Sequence, residues 1–183
     1  MQACIGENRA DIVSMKILIR AITPKRQVRL DPQVVERELR SVLNDDVKSD
    51  LLSDFRKTVN GWKTQVDFTA RTFIAFDSIK MTVSPTGDGA KIWGYVNSGT
   101  RPHIIRPKRR GGVLAFRGGF RAKTRPGRIS SGAGGSSGTT IFSREVHHPG
   151  TEARNFDQLI ADNNRPNFKR LCENGLRRAL RKS

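Results

Sequence analysis

The side chains that could do chemistry in this chain are few, and their spacing argues against most of it. There are three histidines, His103, His147 and His148. A metal site could join His103 to one of the pair if the strands carrying them were adjacent. No carboxylate or thiolate stands at a fixed spacing to complete it, and catalytic zinc needs about three protein ligands. The His147-His148 pair with downstream Asn163 faintly resembles a His-Asn-His nuclease, but no third His follows. The serines lie mainly in a Gly-rich stretch with no GxSxG elbow, and no GxxxxGK[ST] phosphate loop occurs. Of the 17 carboxylates, 11 fall between Glu7 and Asp77, on or around one helical pattern. Paired acid/base work has little to use there. Cys4 and Cys172 are far apart and belong to no CxxC, which fits a reducing compartment and a buried free thiol at Cys172. The expectation is a non-enzyme with no catalytic residue, cofactor or metal. Each His is expected to bond backbone beside a Pro-bounded turn.

Charge says more. The chain of 183 residues carries +17, and between Gly89 and Arg144 there are 12 Lys or Arg and no acid. A patch so concentrated implies a polyanionic partner, either nucleic acid or an acidic protein surface. Hydrophobic residues are 36% and Gly plus Pro total 25, which suits one compact domain with irregular loops. No run approaches the roughly 18 apolar residues of a membrane helix, and a signal-peptide layout is lacking.

Several elements must carry this charge. Residues 1–14 read as loosely ordered, with Met15 a candidate internal start, and residues 15–183 read as a single α+β domain. Ser14 to Ile22 alternates as a strand and stops at Thr23-Pro24. Asp31-Pro32 supplies an N-cap and a first-turn Pro. Apolar residues from Val35 to Val59 at spacings of three and four predict one long amphipathic helix over 32–59, closed by Asn60-Gly61. Trp62 to Ala70 and Thr72 to Val83 predict two extended segments, followed by a turn over Ser84–Gly89 and a strand over Lys91–Asn97 that completes an antiparallel meander.

Trp93 to Phe116, WGYVNSGTRPHIIRPKRRGGVLAF, reads as an extended basic β-hairpin turning at Arg109–Gly112. Gly99, Pro102 and Pro107 set its shape, and Arg101, Arg106, Lys108, Arg109 and Arg110 its charge. Residues 118–140 read as a flexible Gly/Ser-rich basic loop with almost nothing to bury. Arg117, Arg121, Lys123, Arg125 and Arg128 extend the interface or DNA-facing set into it. A strand over Ile141–His147 precedes the His148-Pro149-Gly150 turn. Asn155 with Gln158 predicts a capping box for a short helix through Ile160, broken at Asn163–Arg165, and Pro166 begins the terminal helix.

Two stretches together resemble one family. Tyr95-Val96-Asn97-Ser98-Gly99-Thr100-Arg101-Pro102-His103-Ile104-Ile105-Arg106-Pro107-Lys108, followed by Ala115-Phe116, is similar to the V-E-x-G-T-x-P-H-x-I-x-P-K … L-x-F run of small neck and tail-completion proteins of tailed bacteriophages. Val146-His147-His148-Pro149-Gly150-Thr151-Glu152-Ala153-Arg154-Asn155-Phe156 is similar to their second run, V-x-H-P-G-T-x-A-x-P-F. The resemblance spans about residues 15–180. Asn97 stands where the family often has Glu, and Asn155 where it has Pro.

The resemblance implies a structural virion protein of the head–tail junction, made in the host cytoplasm. It implies a homo-oligomeric ring, commonly a hexamer, that completes the tail or joins it to the connector. Neck, connector or tail-tube proteins would be its partners, with non-specific contact to packaged DNA and no membrane. Gly99, Thr100, Pro102, His103, Pro107, His148, Pro149, Gly150 and Thr151 would shape the motif. The alternative is a nucleic-acid-binding protein using residues 101–128 for sequence-independent phosphate contacts.

Overall fold

The structure, a computed structural model, describes residues 13–18, 31–75 and 78–182. It is an α+β fold in which helices cover one face of a small antiparallel sheet. Most of residues 1–14, the end of the first expected strand and its Thr23-Pro24 stop lie outside the described residues.

The sheet has the order β1-β3-β2, with β1 Val13–Leu18, β2 Asp67–Ala75 and β3 Ser78–Thr86. Both neighbours run antiparallel to β3, in registers that set Met15 and Thr72 opposite Met81. Phe68, Met81 and Val83 are buried. The meander differs from the sequence expectation: β2 and β3 pair along their length, up to Ala75 opposite Ser78, and β1 supplies the third strand.

Asp31 caps the first helix as expected, accepting from the Gln33 N–H at 2.9 Å, with Pro32 in the first turn. The rod continues through α1 (Pro32–Val42), a π-helical turn (Leu43–Val47) and α2 (Lys48–Val59), then stops at Asn60 and Gly61, whose φ is +76°. The π turn opens a run of buried residues at one spacing. Leu43, Val47, Leu51 and Phe55 are spaced by four, and each such step overshoots a 3.6-residue turn by about 40°. A wider turn takes up that drift. All four side chains stay buried.

Lys91–Asn97 is not a strand. It lies in α3 (Ala90–Ser98), which opens with the Trp93 N–H on the Gly89 carbonyl at 2.9 Å. The Ile, Trp, Tyr and Val of this segment favour strands locally. Trp93 and Asn97, four apart, are both buried, and packing at helical spacing overrides that preference. Trp93 joins Phe55, Phe68 and Phe156 in an aromatic core, with ring centroids 5.3–6.2 Å apart.

The two expected C-terminal helices are one, α4 (Phe156–Lys182), with Pro166 inside it. Ile160 and Phe168, on either side of the Pro, are both buried, and the Asn164 side chain donates to the Ile160 carbonyl and to Asp54 of α2. One lost backbone bond is outweighed by packing that only an uninterrupted helix gives. Gly175 lets α4 approach α1: a Cβ there would stand 3.2–3.3 Å from Val42 and Leu39. Glu38 ties the same two helices through Lys182 at 2.7 Å and Arg178 at 3.6 Å.

Candidate assembly surface and cation-lined cleft

Between α3 and α4 the chain makes three two-stranded ribbons. They pair β4 (His103–Ile105) with β9 (Val146–His148), β5 (Leu114–Arg117) with β8 (Thr140–Ser143), and β6 (Phe120–Arg121) with β7 (Gly135–Ser136). The expected Trp93–Phe116 hairpin is therefore corrected. Its first arm is a helix, and β4 and β5 pair with later strands instead of each other. The Arg109–Gly112 turn is present, with the Gly112 N–H on the Arg109 carbonyl at 3.0 Å.

The motif-shaping residues meet in space. Thr100 and Thr151 form an antiparallel bridge, Thr100 N–H to Thr151 carbonyl at 2.9 Å and the reverse at 3.1 Å. The Thr100 hydroxyl also accepts from the Thr151 N–H at 2.9 Å. Two glycines permit this approach. Gly99, at φ +77°, has no room for a Cβ, which would lie 2.7 Å from the Thr151 carbonyl oxygen. Gly150, at φ +91°, is reciprocal: a Cβ there would clash with the Thr100 carbonyl oxygen. Neither position suits another residue on backbone grounds either. Pro102 and Pro149 each lie two residues from the bridge, on its two segments, and Pro107 packs near Gly112.

His103 and His148 are register partners, their rings stacked with centroids 4.9 Å apart. As expected, each bonds backbone. His103 Nδ1 lies 2.9 Å from the Arg101 carbonyl, so it carries the proton, while His148 Nδ1 accepts from the Gly150 N–H at 3.0 Å. His147 departs from that expectation and meets the Glu145 carboxylate instead, at 2.9 Å. Among the described residues no group of three or more His, Cys, Asp or Glu could hold a metal ion.

Asn97, buried at the end of α3, sets the direction of α4. Its backbone carbonyl accepts from Arg154 and Asn155, and its side-chain oxygen accepts from the Asp157 N–H at 3.3 Å. The helix start is thus capped across 60 residues. Asn155 sits at φ +49°, an angle that Asn tolerates and Pro cannot adopt.

The basic residues divide into three groups. Arg106 is paired with Glu145 at 2.8 Å. Glu145 is held below the usual carboxylate range by the hydrogen bond from Arg106, against a cost of burial, with the Arg106 charge and His147 adding to it. Arg117 and Lys123 line the cleft described next. Arg101, Lys108, Arg109, Arg110, Arg121, Arg125 and Arg128 are exposed and make no ion pair among the described residues. Large apolar side chains stand among them, with Phe120 74% and Phe142 69% exposed and Val113, Ile141 and Phe116 also open.

The 118–140 segment does have something to bury. Thr124 is buried, Ile129 packs on the core, Lys123 donates to the Gly61 carbonyl and Ser131 to that of Asn60. These bonds lay it over the C-terminal end of α2, whose last carbonyls have no helical partner.

That placement creates a cleft of about 830 Å³ between α3, the Trp62–Thr64 connection and the β6/β7 ribbon. Trp62, Ile92, Val96 and Phe120 give it apolar walls, and Lys63, Arg117, Lys123 and Arg154 give it four cations with no carboxylate. Arg154 is the buried one. Its Nε donates weakly to Thr124 Oγ1 at 3.4 Å and its Nη1 to the Glu152 carbonyl at 2.8 Å. Arg154, Lys63, Trp62 and Asn97 are site residues that stood outside the sequence-based set. Arg154 and Asn97 lie inside the two quoted motifs, which was a signal; Trp62 and Lys63 carry none.

No family model matches the chain, and no curated protein or solved structure matches it either. No helix among the described residues is long and apolar enough to cross a membrane.

Proposed function

We propose that this chain is a structural protein of a phage head–tail junction, assembling into a ring that completes the tail or joins it to the connector, with no catalytic role. One observation carries the reading. The two motifs of the resemblance, 51 residues apart, form a single knot at Thr100 and Thr151, from which ribbons with exposed cations and apolar side chains extend. Two-stranded ribbons are marginal alone and gain stability when neighbours cover them. A mixed basic and apolar surface suits such cover.

The second reading, phosphate binding by residues 101–128, is favoured by the nine cations there that make no ion pair among the described residues. Purified protein examined by light scattering and electron microscopy, alongside duplex binding at several salt concentrations, separates the two. A discrete ring with weak duplex affinity is expected. A monomer whose duplex affinity falls steeply with salt would overturn the ring in favour of the second reading.

A further inference from the structure

We infer that the cleft between α3 and the β6/β7 ribbon binds an extended acidic peptide segment of a partner protein, with Arg154 receiving a carboxylate and Trp62 and Phe120 flanking an apolar side chain. This names the partner's chemistry for the assembly proposed above and rests on the partner being a protein.

Arg154 is a buried cation. Its side chain is only 9% exposed, yet the nearest carboxylate, Glu152, is 3.7 Å away and 76% exposed. Buried charges are ordinarily paired and fully hydrogen-bonded. Here Nε and Nη1 are committed and Nη2 makes no hydrogen bond among the described residues, although no fully buried side-chain nitrogen is left unsatisfied. Nη2 therefore keeps some solvent exposure, and Arg154 is among the residues that line the cleft. Three further cations surround that space without an acid. A carboxylate entering it would gain a charge-assisted bond in a partly desolvated site, the setting in which such bonds are strong.

The walls select the class of anion. A duplex carries its phosphates on a broad convex surface, which cannot bring one against a guanidinium so deeply set. A single peptide chain can. Phe120 and Ile92 are exposed large apolar residues on the two lips, surface that an apolar side chain beside the carboxylate would bury.

The test uses the full chain and a fluorescein-labelled Glu-Asp-Phe-Asp-Glu peptide, read by anisotropy. Saturable binding is expected, weakened about tenfold or more for the Gln-Asn-Phe-Asn-Gln peptide. Lys63→Glu and Phe120→Ser, both at exposed positions, should each weaken it, and Arg154→Lys should weaken it while leaving the circular dichroism spectrum unchanged. Arg128→Glu, with the same charge change outside the cleft, should not. No saturable binding, equal weakening by Arg128→Glu, or displacement by oligothymidylate at the peptide's own affinity would each overturn the inference. Peptide binding by a chain that forms no ring would remove the ring alone; a ring that binds no peptide would remove the cleft alone.

Discussion

Trp93 donates its indole N–H to the hydroxyl of Thr58 at 3.0 Å, and that hydroxyl donates onward to the Phe55 carbonyl at 2.6 Å. Both residues are fully enclosed, so the short relay satisfies the one polar atom that the aromatic core contains in Trp93. Thr58→Val keeps the shape and removes the acceptor. Leaving a buried donor unpaired costs about 1–3 kcal/mol, so the urea midpoint should fall accordingly. Thr58→Ser should retain most of the stability.

Glu38 gives the helical layer an acid limb. The hydrogen bond from Lys182 holds its carboxyl below the usual range, opposed by burial and assisted by the charges of Lys182, Arg178 and Arg37. A depressed folded-state pKa means the unfolded chain takes up the proton first. The contribution is whole above the unfolded pKa and is lost as pH falls through the folded one. Denaturation midpoints taken from pH 6 to pH 3 should therefore fall more for the wild type than for Glu38→Gln, and the two should converge at the acid end.

The glycines at the knot can be ranked. Gly150→Ala forces a side chain into φ +91° and against the Thr100 carbonyl, whereas Gly111→Ala at φ +77° meets nothing within 4 Å. Strained backbone alone costs on the order of 1 kcal/mol, which is the expected loss for Gly111→Ala. Gly150→Ala should exceed it clearly and should also strip hydrogen-exchange protection from the Thr100 and Thr151 amides. Equal losses in the two variants would show that the approach of the chains is slack.

Burial pushes the Cys172 thiol up to about 11. At pH 8 its thiolate fraction in the folded protein is then on the order of 10⁻³. In a Cys4→Ser variant, a thiol-specific disulfide reagent should react negligibly with the native chain and stoichiometrically in concentrated guanidinium.

Where a signal was local, the sequence carried it. Asp31-Pro32 and Asn60-Gly61 bound the long rod as expected, because a cap needs only its own neighbours. The π turn escaped notice, since spacing of four fits either helix type over a few residues. Trp93–Asn97 was misread because two buried residues in nine are too few to outweigh β-favouring composition. Pro166 was read as a start because a Pro's local cost is visible and the packing of Ile160 and Phe168 that offsets it is not. The ribbons illustrate the general limit: Leu114–Arg117 pairs with a strand about 26 residues later, across a stretch whose composition reads as linker. The two motifs were legible as motifs. Their union at Thr100 and Thr151, and the cleft behind Arg154, depend on separations that no window of residues contains.

The bridge between Thr100 and Thr151 has a further consequence for how such a surface can change. The chain leaves the helical body and re-enters it at one point, so everything between is a closed excursion, one that packs back on the body through Thr124, Ile129 and Ser131. Closing a loop costs little more as it lengthens, about 0.6 kcal/mol for each doubling. At Gly111 and Gly127, where an added Cβ meets nothing within 4 Å, residues can be inserted with the closure left as it is. Reach and charge at the tips can then be altered while the core that supports them stays as it is.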